Sequence, residues 1–355
     1  MRQKNFVVAC GGTGGHVFPG LAVANELKRR GHAVEVWFSG RDIEGKTLCS
    51  WDGPVFSTGA RQLSLRTLPS VGRSLYTCLK GVKRLKPDAL LAMGSYSSLP
   101  PVMAARFGQV PVVLHEANAV PGKAVEFLSR YASTTAVSFE ETEKWLPGRK
   151  VQYTGLPVRE DLAGCARFED VPEEAFTVFV TGGSQGARRV NELVSQAMCL
   201  LKQSGQDDLF VIHQTGAADE ARVREVYAAA GVRAKVSAFV AEMGRAYASA
   251  DLVICRAGAS TCFELCLLGK PALLIPLPTA VRNHQHLNAA ALVRSGGVDE
   301  GVQQELTGRS IMRYVENKMN NRMHLTRMQQ SLRTLAVPDA AARVADALER
   351  VAKRP

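Results

Sequence analysis

The stretch between residues 250 and 289, ADLVICRAGASTCFELCLLGKPALLIPLPTAVRNHQHLNA, constrains the fold more than any other part of the chain. An apolar run at Leu252–Cys255 is broken by Gly258, and apolar residues then recur at helical spacing until Gly269. A second apolar run, at residues 272–275, lies between prolines. The stretch therefore predicts a strand, a loop, a helix and a second strand, the repeating unit of a parallel α/β sheet.

The helix start within this stretch is a candidate anion-binding site. In parallel α/β sheets, ligands bind beyond the carboxyl ends of the strands, where helix N-termini offer unpaired N–H groups. Ser260 and Thr261 lie at the predicted helix start, and Glu264 follows about one turn later. A carboxylate there can bind both hydroxyls of a ribose while the helix end faces a phosphate. The alternative is an ordinary capping arrangement of the same side chains, and both interpretations stay open from these residues alone.

Both halves of the chain repeat this plan of apolar runs, tight turns and helical patterns. The predicted strands cover residues 5–10, 34–38, 89–93, 110–114, 135–137 and 151–153 in the first half, and 176–181, 209–214, 236–239, 252–255 and 272–275 in the second. At 355 residues the chain is long enough for two domains. We therefore predict an α/β protein with two doubly wound, Rossmann-like parallel-sheet domains that face each other across a cleft.

A proline-containing break near Arg159 sets the predicted domain boundary, with residues 1–158 in the first domain and residues 159–338 in the second. A basic stretch at residues 310–335 predicts one or two helices. The last helix, within residues 339–355, is expected to pack back on the first domain.

Two glycine-rich segments in the first half match nucleotide-binding patterns imperfectly. GGTGGHVFPG follows the first strand and precedes a helix predicted at residues 21–30, so its backbone can approach a phosphate or a sugar. Val17 stands where a dinucleotide fingerprint has its third glycine, and the second strand ends without the acid of NAD enzymes. GRDIEGKT, residues 40–47, matches a P-loop, but Asp42 and Glu44 would repel a triphosphate. NAD binding is therefore not favoured, and a P-loop kinase or ATPase remains only as an alternative.

The positive charge of the chain points to an anionic partner. Lys and Arg number 44 against 33 Asp and Glu, which gives a net charge of +11. Between Gly53 and Pro87 there is no acidic residue, and apolar residues recur at helical spacing. The cations of this segment are Arg61, Arg66, Arg73, Lys80, Lys83, Arg84 and Lys86. We expect the apolar residues to pack on the sheet and the cations to face an anionic membrane surface. Nucleic acid is not favoured as a partner, because aromatic residues make up only 6% of the chain.

The eight cysteines include no paired CxxC motif. Cys262 and Cys266 lie four residues apart on the predicted helix and would hold a metal only with further ligands. We expect buried free thiols in a reducing compartment, and no metal. We also expect a cytoplasmic location, because the sequence shows neither a signal-peptide apolar region nor a run of membrane-spanning length.

Six motifs occur in an order that resembles one enzyme family. They are GGTGGHVFPGLAVA, HEAN, GLPVR, GGSQGA, CRAGASTCFE and NHQHLNA, and they extend over essentially the whole chain. The resemblance is to glycosyltransferase family 28, and in particular to its bacterial members that add N-acetylglucosamine (GlcNAc) to the lipid-linked peptidoglycan precursor. It implies a GT-B fold and an inverting transfer that uses no cofactor and no metal. The implied donor is UDP-GlcNAc, held mainly by the second domain. The implied acceptor is the C4 hydroxyl of MurNAc in undecaprenyl-diphosphate-MurNAc-pentapeptide, presented at the cytoplasmic face of the inner membrane.

The resemblance also implies roles for individual residues. In the first domain, Thr13, Gly14 and Gly15 would face the substrates, and Asn118 would contact the donor sugar. Further residues would contact the nucleotide sugar: Arg159 and Ser184 at the diphosphate, Val240 beside the uracil, Ala259, Ser260, Thr261, Cys262, Phe263 and Glu264 at the uridine and diphosphate, and Gln285 at the sugar.

Sugar transfer requires stabilisation of a departing diphosphate and deprotonation of an acceptor hydroxyl. Helix N-termini, backbone N–H groups and Arg159 can meet the negative charge. His16 is the first candidate for the base because its intrinsic pKa suits neutral pH, although a structural role for this loop histidine is an open alternative. Glu116 is the second candidate and His115 a weaker one. Three alternative functions also remain: transfer of another UDP-sugar to a different lipid acceptor, P-loop chemistry, and non-catalytic binding of a nucleotide sugar or nucleic acid.

Overall fold

The computed structural model describes residues 2–12, 14–40, 51–60 and 67–352. The chain forms two compact units, one of Met1–Arg159 with Val337–Pro355 and one of Glu160–Ala336. We call them the first and the second unit. Each contains a parallel sheet with helices, which confirms the predicted α/β class.

The first unit contains a parallel sheet of seven strands among the described residues. They are β1 (Asn5–Ala9), β2 (Ala33–Phe38), β3 (Val55–Ser57), β4 (Ala89–Ala92), β5 (Val112–Glu116), β6 (Thr134–Val137) and β7 (Val151–Tyr153). Their order is β3-β2-β1-β4-β5-β6-β7. The order reverses between β1 and β4, which is the switch point where doubly wound sheets bind ligands.

Helices cover both faces of this sheet. The α-helices among the described residues of the first unit are Gly14–Arg29, Leu68–Leu85, Leu99–Phe107, Lys123–Leu128 and Ala340–Val351. Along β1 the side chains alternate, so Val8 packs in one core with Leu348 of the last helix, while Val7 packs in the opposite core with Val82. Ion pairs from Arg30 to Asp346 (2.6 Å) and Glu349 (3.2 Å) add to this contact of the last helix with the rest of the unit.

The second unit repeats the plan with six described strands. They are β8 (Phe176–Thr181), β9 (Leu209–Gln214), β10 (Ala234–Ser237), β11 (Leu252–Cys255), β12 (Ala272–Leu274) and β13 (Val298–Glu300), in the order β10-β9-β8-β11-β12-β13. Its helices are Arg188–Gln203, Glu220–Ala230, Met243–Ser249, Ala259–Leu268, His284–Val293, Gly308–Asn320 and Arg322–Thr334. The switch point lies between β8 and β11, and each of these strands leads into a glycine-containing turn before a helix.

Some bounds and elements of the sequence prediction were wrong. The first helix begins at Gly14, within the glycine-rich segment, because Val17 and Leu21 are buried and their packing outweighs the helix-breaking tendency of the glycines and Pro19. The strand predicted at residues 236–239 lies at Ala234–Ser237, where it pairs with β9. The strand predicted at residues 110–114 lies at Val112–Glu116, where it pairs with β4 and β6. The strands Val55–Ser57 and Val298–Glu300 were not predicted, because neither has the buried apolar run that marks most of the other strands.

In the described part of the chain, no helix combines the length and the apolar character needed to cross a membrane.

Candidate functional site

The first element of the candidate site is the turn between β8 and the helix Arg188–Gln203. Gly186 N donates a hydrogen bond to Gly183 O at 3.0 Å, which closes the turn. Both glycines have positive φ angles, 84° for Gly183 and 73° for Gly186, and a Cβ at Gly186 would overlap the backbone of Thr215. Only glycine fits such a position.

This turn presents backbone donors to solvent. Within the described residues, the N–H groups of Ser184 and Gln185 have no hydrogen-bond acceptor, and both residues are exposed. The following helix directs the positive end of its dipole to the same place. An anion such as a diphosphate fits a turn of this kind.

The second element is the N-terminus of the helix Ala259–Leu268. Gly258 occupies the N-cap position, and no side chain caps the helix, so the ordinary capping arrangement considered from the sequence is not formed. Cys262 and Phe263 are buried, so their side chains do not face a ligand, and Cys262 N already donates a hydrogen bond to Gly258 O at 3.0 Å. Ser260 and Thr261 are half-buried at the helix start.

Glu264 is positioned by a neighbouring side chain. The Tyr247 hydroxyl donates a hydrogen bond to Glu264 Oε2 at 2.8 Å, and Tyr247 itself is fully buried. Its ring packs edge-on against Phe179 of β8 with the ring centroids 5.3 Å apart. The carboxylate of Glu264 is thus held at a fixed place one turn into the helix.

The segment around Val240 lies beyond the end of β10. Val240 is buried, and its N–H donates a hydrogen bond to Gln214 Oε1 at 2.9 Å. The carbonyl of Val240 is the backbone group that this arrangement leaves for a ligand.

Gln285 supports the loop that follows β12. Its Oε1 accepts a hydrogen bond from Leu277 N at 2.9 Å. In the same helix, the buried Asn288 donates to Ala257 O at 3.2 Å, so the NHQHLNA motif braces the loops after both β11 and β12. Arg256 extends this bracing, since its guanidinium donates to Ile275 O at 2.9 Å.

The first unit holds the histidine predicted to be the base. His16 lies in the first turn of the helix Gly14–Arg29, not in the preceding loop, and is half-buried. Burial lowers the pKa of its imidazole to about 4. The ring is therefore neutral at pH 7, and its lowered pKa makes it a weaker base than the ordinary pKa expected from the sequence.

Gly14 and Gly15 form the start of the same helix, and Thr13 lies outside the described residues. Phe18 packs close to Gly14, where an added Cβ would lie 3.4 Å from the Phe18 ring. The guanidinium carbon of Arg159 lies 4.7 Å from the centroid of the Phe18 ring, a cation–π distance. The structure thus brings Arg159 to the N-terminal end of this helix.

Glu116 and Asn118 hold each other at the end of β5. Glu116 Oε1 accepts from the backbone N (2.9 Å) and the Nδ2 (3.1 Å) of Asn118, and Oε2 accepts from Gly122 N (2.9 Å). Burial raises the pKa of the Glu116 carboxyl, while these hydrogen bonds act in the opposite direction. A carboxylate with both oxygens engaged is suited to brace this loop.

His115 is the remaining candidate base, and it is fully buried. Its Nε2 lies 3.3 Å from Gly155 O. Burial and, to a lesser extent, the neighbouring His16 lower its pKa to about 4, against the effect of the Gly155 hydrogen bond. The burial of His115 makes it a poor acceptor of a substrate proton.

Other predicted features fall outside the site or outside the described residues. The P-loop pattern, including Lys46, has only its first residue among those described. Every described cysteine is a free thiol, and Cys165 and Cys199 are only half-buried. Among the described residues, no group of three or more His, Cys, Asp or Glu side chains is arranged to hold a metal ion.

Two residues that hold the site in place, Gln214 and Tyr247, were not predicted from the sequence. The sequence offered one signal for Gln214, since it ends a strand at the same sheet edge as Thr181. Tyr247 gave none, because its pairing with Glu264 depends on tertiary packing.

Models of one enzyme family match both halves of the chain. The model of the glycosyltransferase family 28 N-terminal domain matches residues 6–137, and the model of the C-terminal domain of the same family matches residues 177–344.

The relatives with known names match over nearly their whole length. A protein of Solibacter usitatus is 38% identical over 359 residues, which cover 98% of this chain and 96% of the relative. It is named UDP-N-acetylglucosamine–N-acetylmuramyl-(pentapeptide) pyrophosphoryl-undecaprenol N-acetylglucosamine transferase. A protein of Myxococcus xanthus with the same name is 37% identical, with 96% of this chain and 91% of the relative covered.

Solved structures support the fold. MurG of Acinetobacter baumannii is 31% identical, with a TM-score of 0.78 and coverage of 98% of this chain and 100% of that one. A UDP-GlcNAc 2-epimerase of Neisseria meningitidis bound to UDP-GlcNAc has a TM-score of 0.73, with 98% of this chain and 100% of that one covered. At 13% identity, the second likeness shows the fold alone.

Proposed function

The chain belongs to glycosyltransferase family 28, and we propose that it transfers GlcNAc from UDP-GlcNAc to the C4 hydroxyl of MurNAc in undecaprenyl-diphosphate-MurNAc-pentapeptide. This is the activity that the names of its relatives describe in outline. The main structural support for the proposal is the set of groups that meet at the switch point of the second unit. An anion-binding turn, a helix N-terminus and the fixed carboxylate of Glu264 all follow strands of one sheet edge there.

The second unit supplies the donor contacts. Glu264 binds the two ribose hydroxyls, and the carbonyl of Val240 accepts the N3–H of uracil. The backbone from Ala259 to Thr261, together with Ser184 of the glycine turn, binds the diphosphate with its N–H groups. Gln285 uses its side-chain amide to contact the sugar, and Arg159 of the first unit adds a cation at the diphosphate.

The reaction is a single displacement that inverts the anomeric carbon. His16, neutral at pH 7, removes the proton of the acceptor hydroxyl as its oxygen bonds to C1 of GlcNAc. The bond from C1 to the diphosphate oxygen breaks, and UDP leaves with the electron pair. The N–H groups of the glycine turn and of the Ala259–Leu268 helix stabilise the developing charge, so the proposal involves neither metal nor cofactor. Glu116 and Asn118 hold the loop after β5 in place.

The lipid acceptor requires contact with a membrane, and the helix Leu68–Leu85 has the surface for it. Leu75, Leu79 and Val82 pack on the core, as expected from the sequence. Two large apolar side chains nevertheless face solvent, with Leu68 57% and Tyr76 58% exposed.

Cations surround this apolar surface. Arg73, Lys80 and Lys83 are exposed on the same helix, and Lys80 Nζ lies 4.6 Å from the centroid of the Tyr76 ring. Side chains of this mixture insert into the headgroup region of anionic bilayers. We therefore propose that the protein associates peripherally with the cytoplasmic face of the inner membrane.

Calorimetric titration with UDP-sugars tests the donor assignment. UDP-GlcNAc is expected to bind at least about tenfold more tightly than UDP-glucose or UDP-galactose, because polar groups that pair with the acetamido group or with the C4 hydroxyl lose their partners in those sugars. Equal affinity for the three would favour a transferase of another UDP-sugar, and no binding of any would overturn the proposal.

A further inference from the structure

Gln214 uses its side-chain amide to join two loops of the second unit. It is the last residue of β9, and only 2% of its surface is exposed. Its Nε2 donates to Thr181 Oγ1 at 3.1 Å and to Gly183 O at 3.0 Å. Its Oε1 accepts from Val240 N at 2.9 Å. Both donors and an acceptor of one buried amide are thus satisfied by two segments far apart in sequence.

On one side, Gln214 braces the glycine turn. Gly183 O accepts a hydrogen bond from Gly186 N as well as from Gln214, and Thr181 Oγ1 accepts one from Gly183 N. The turn therefore depends on the amide for its fixed position, since the same oxygen that closes the turn is the one that Gln214 holds.

On the other side, Gln214 fixes the backbone of Val240. The chain just after Gln214 packs directly against the glycine turn. The contact is so close that a Cβ at Gly216 would overlap the backbone of Gln185. Asn191 adds a second clamp by donating from Nδ2 to Thr215 O at 2.9 Å. A buried amide between tightly packed loops has little freedom to move without leaving polar groups unpaired.

We propose that Gln214 is a positioning residue that fixes the anion-binding turn relative to the nucleobase contact at Val240. The inference rests on the proposed function, because it assumes that the nucleotide of the donor binds to both segments. The site would then recognise a nucleoside diphosphate, because the base must reach Val240 while the phosphates reach the glycine turn.

The variant Gln214→Glu tests the hydrogen bonds to the glycine turn separately from the hydrogen bond to Val240. It keeps an oxygen that accepts from Val240 N, but it replaces the two N–H donors with an oxygen that faces the carbonyl of Gly183. We expect its affinity for UDP to fall about tenfold or more, since a buried acceptor loses its donor. Affinity for uridine, which reaches only the Val240 side, should stay within about twofold of the unmodified protein.

Ser249→Ala is the matched control. Ser249 is equally buried in the same unit, and its hydroxyl accepts a hydrogen bond from Phe168 N at 2.9 Å, away from the glycine turn. It should lower the thermal stability to a similar degree while leaving the affinity for UDP unchanged.

The pH dependence of UDP binding by Gln214→Glu distinguishes a positioning role from a purely structural one. Protonation turns the carboxylate introduced by Gln214→Glu into a hydrogen-bond donor, and burial brings that step toward neutral pH. The affinity of this variant for UDP should therefore recover, relative to the unmodified protein, as the pH is lowered from about 8 to about 6.

Competition binding with UDP and uridine at both pH values decides between the outcomes. Selective loss for UDP with recovery at low pH supports the positioning role. Equal losses for UDP and uridine, or a loss no larger than that of Ser249→Ala, would overturn it while leaving the proposed function intact. If the unmodified protein binds no UDP, the proposed function fails, and the positioning role fails with it.

Discussion

The hydroxyl of Tyr247 donates a hydrogen bond to Glu264 Oε2 at 2.8 Å, across seventeen positions of sequence. Tyr247 is fully buried, and its ring rests edge-on against Phe179 of β8. The carboxylate that we assign to the ribose is therefore held by a residue that belongs to the core. A hydrogen bond to a charged group is among the stronger polar contacts in proteins.

Removal of this hydroxyl should weaken donor binding without unfolding the protein. In Tyr247→Phe the ring keeps its packing, and the KM for UDP-GlcNAc should rise about tenfold because Glu264 loses its fixed position. Tyr227→Phe is the control, since the Tyr227 hydroxyl is also buried but lies 2.9 Å from His213 Nδ1 instead. Steady-state kinetics with varied donor would measure both. The same KM change in the two variants would show that the effect is general destabilisation.

Replacing His16 should slow the chemical step and have little effect on donor binding. Replacement by Ala should lower kcat by about 100-fold or more, the usual contribution of a general base, and should leave the donor KM within about twofold. A loss of only a few fold would contradict the base assignment.

The pH dependence of His16 is a separate prediction. Since burial lowers its pKa to about 4, the imidazole should stay neutral down to mildly acidic pH. NMR titration of labelled histidine should show no inflection for His16 near its ordinary pKa of about 6.5. An inflection there would show that the pKa of His16 is not lowered and would contradict the neutral imidazole.

The buried histidines should also make the fold sensitive to acid. Burial lowers the pKa of His115 to about 4 and that of His213 to about 3, so between these values and about 6.5 the unfolded chain binds protons that the folded chain does not. Their full stabilising contribution is present above about pH 6.5 and is lost as the pH falls toward the folded pKa values, by up to about 1.4 kcal/mol per pH unit for each histidine. Denaturant unfolding at a series of pH values should be less steeply pH-dependent in His213→Gln than in the unmodified protein. Identical pH slopes would refute this origin of the acid sensitivity.

Membrane association should depend on the cations of the helix Leu68–Leu85. Neutralising Arg73, Lys80 and Lys83 together should reduce flotation with anionic liposomes strongly, since each cation near such a surface contributes about 1 kcal/mol. The control neutralises Lys202, Arg224 and Lys235 of the second unit, which leaves the two variants with the same net charge. Equal flotation of the two variants would remove the membrane assignment.

The sheets were predictable because buried parallel strands leave a plain signal. Runs such as Phe176–Thr181 and Leu209–Gln214 are apolar through most of their length and end at turns. Val298–Glu300 leaves no such signal, because it has one apolar residue and pairing with β12 rather than composition makes it a strand.

The sequence predicts where the site residues lie in the fold, but not the hydrogen bonds that hold them in place. Glycine turns and the position of Glu264 follow from the pattern of strand and helix, since parallel strands bring their carboxyl ends to one edge. The bonds that fix the site, from Tyr247 to Glu264 and from Gln214 to Val240, join segments that only tertiary packing brings together. The engagement of Glu116 with Asn118 and Gly122 is likewise visible only in three dimensions.

The most direct measurement is transfer of labelled sugar from UDP-GlcNAc to a shortened lipid-diphosphate muramyl-pentapeptide, with analysis of the product by mass spectrometry and NMR. We expect a disaccharide joined at the C4 oxygen of MurNAc with inverted anomeric configuration, and one UDP released for each sugar transferred. Absence of the disaccharide, or a product with retained configuration, would contradict the proposed function.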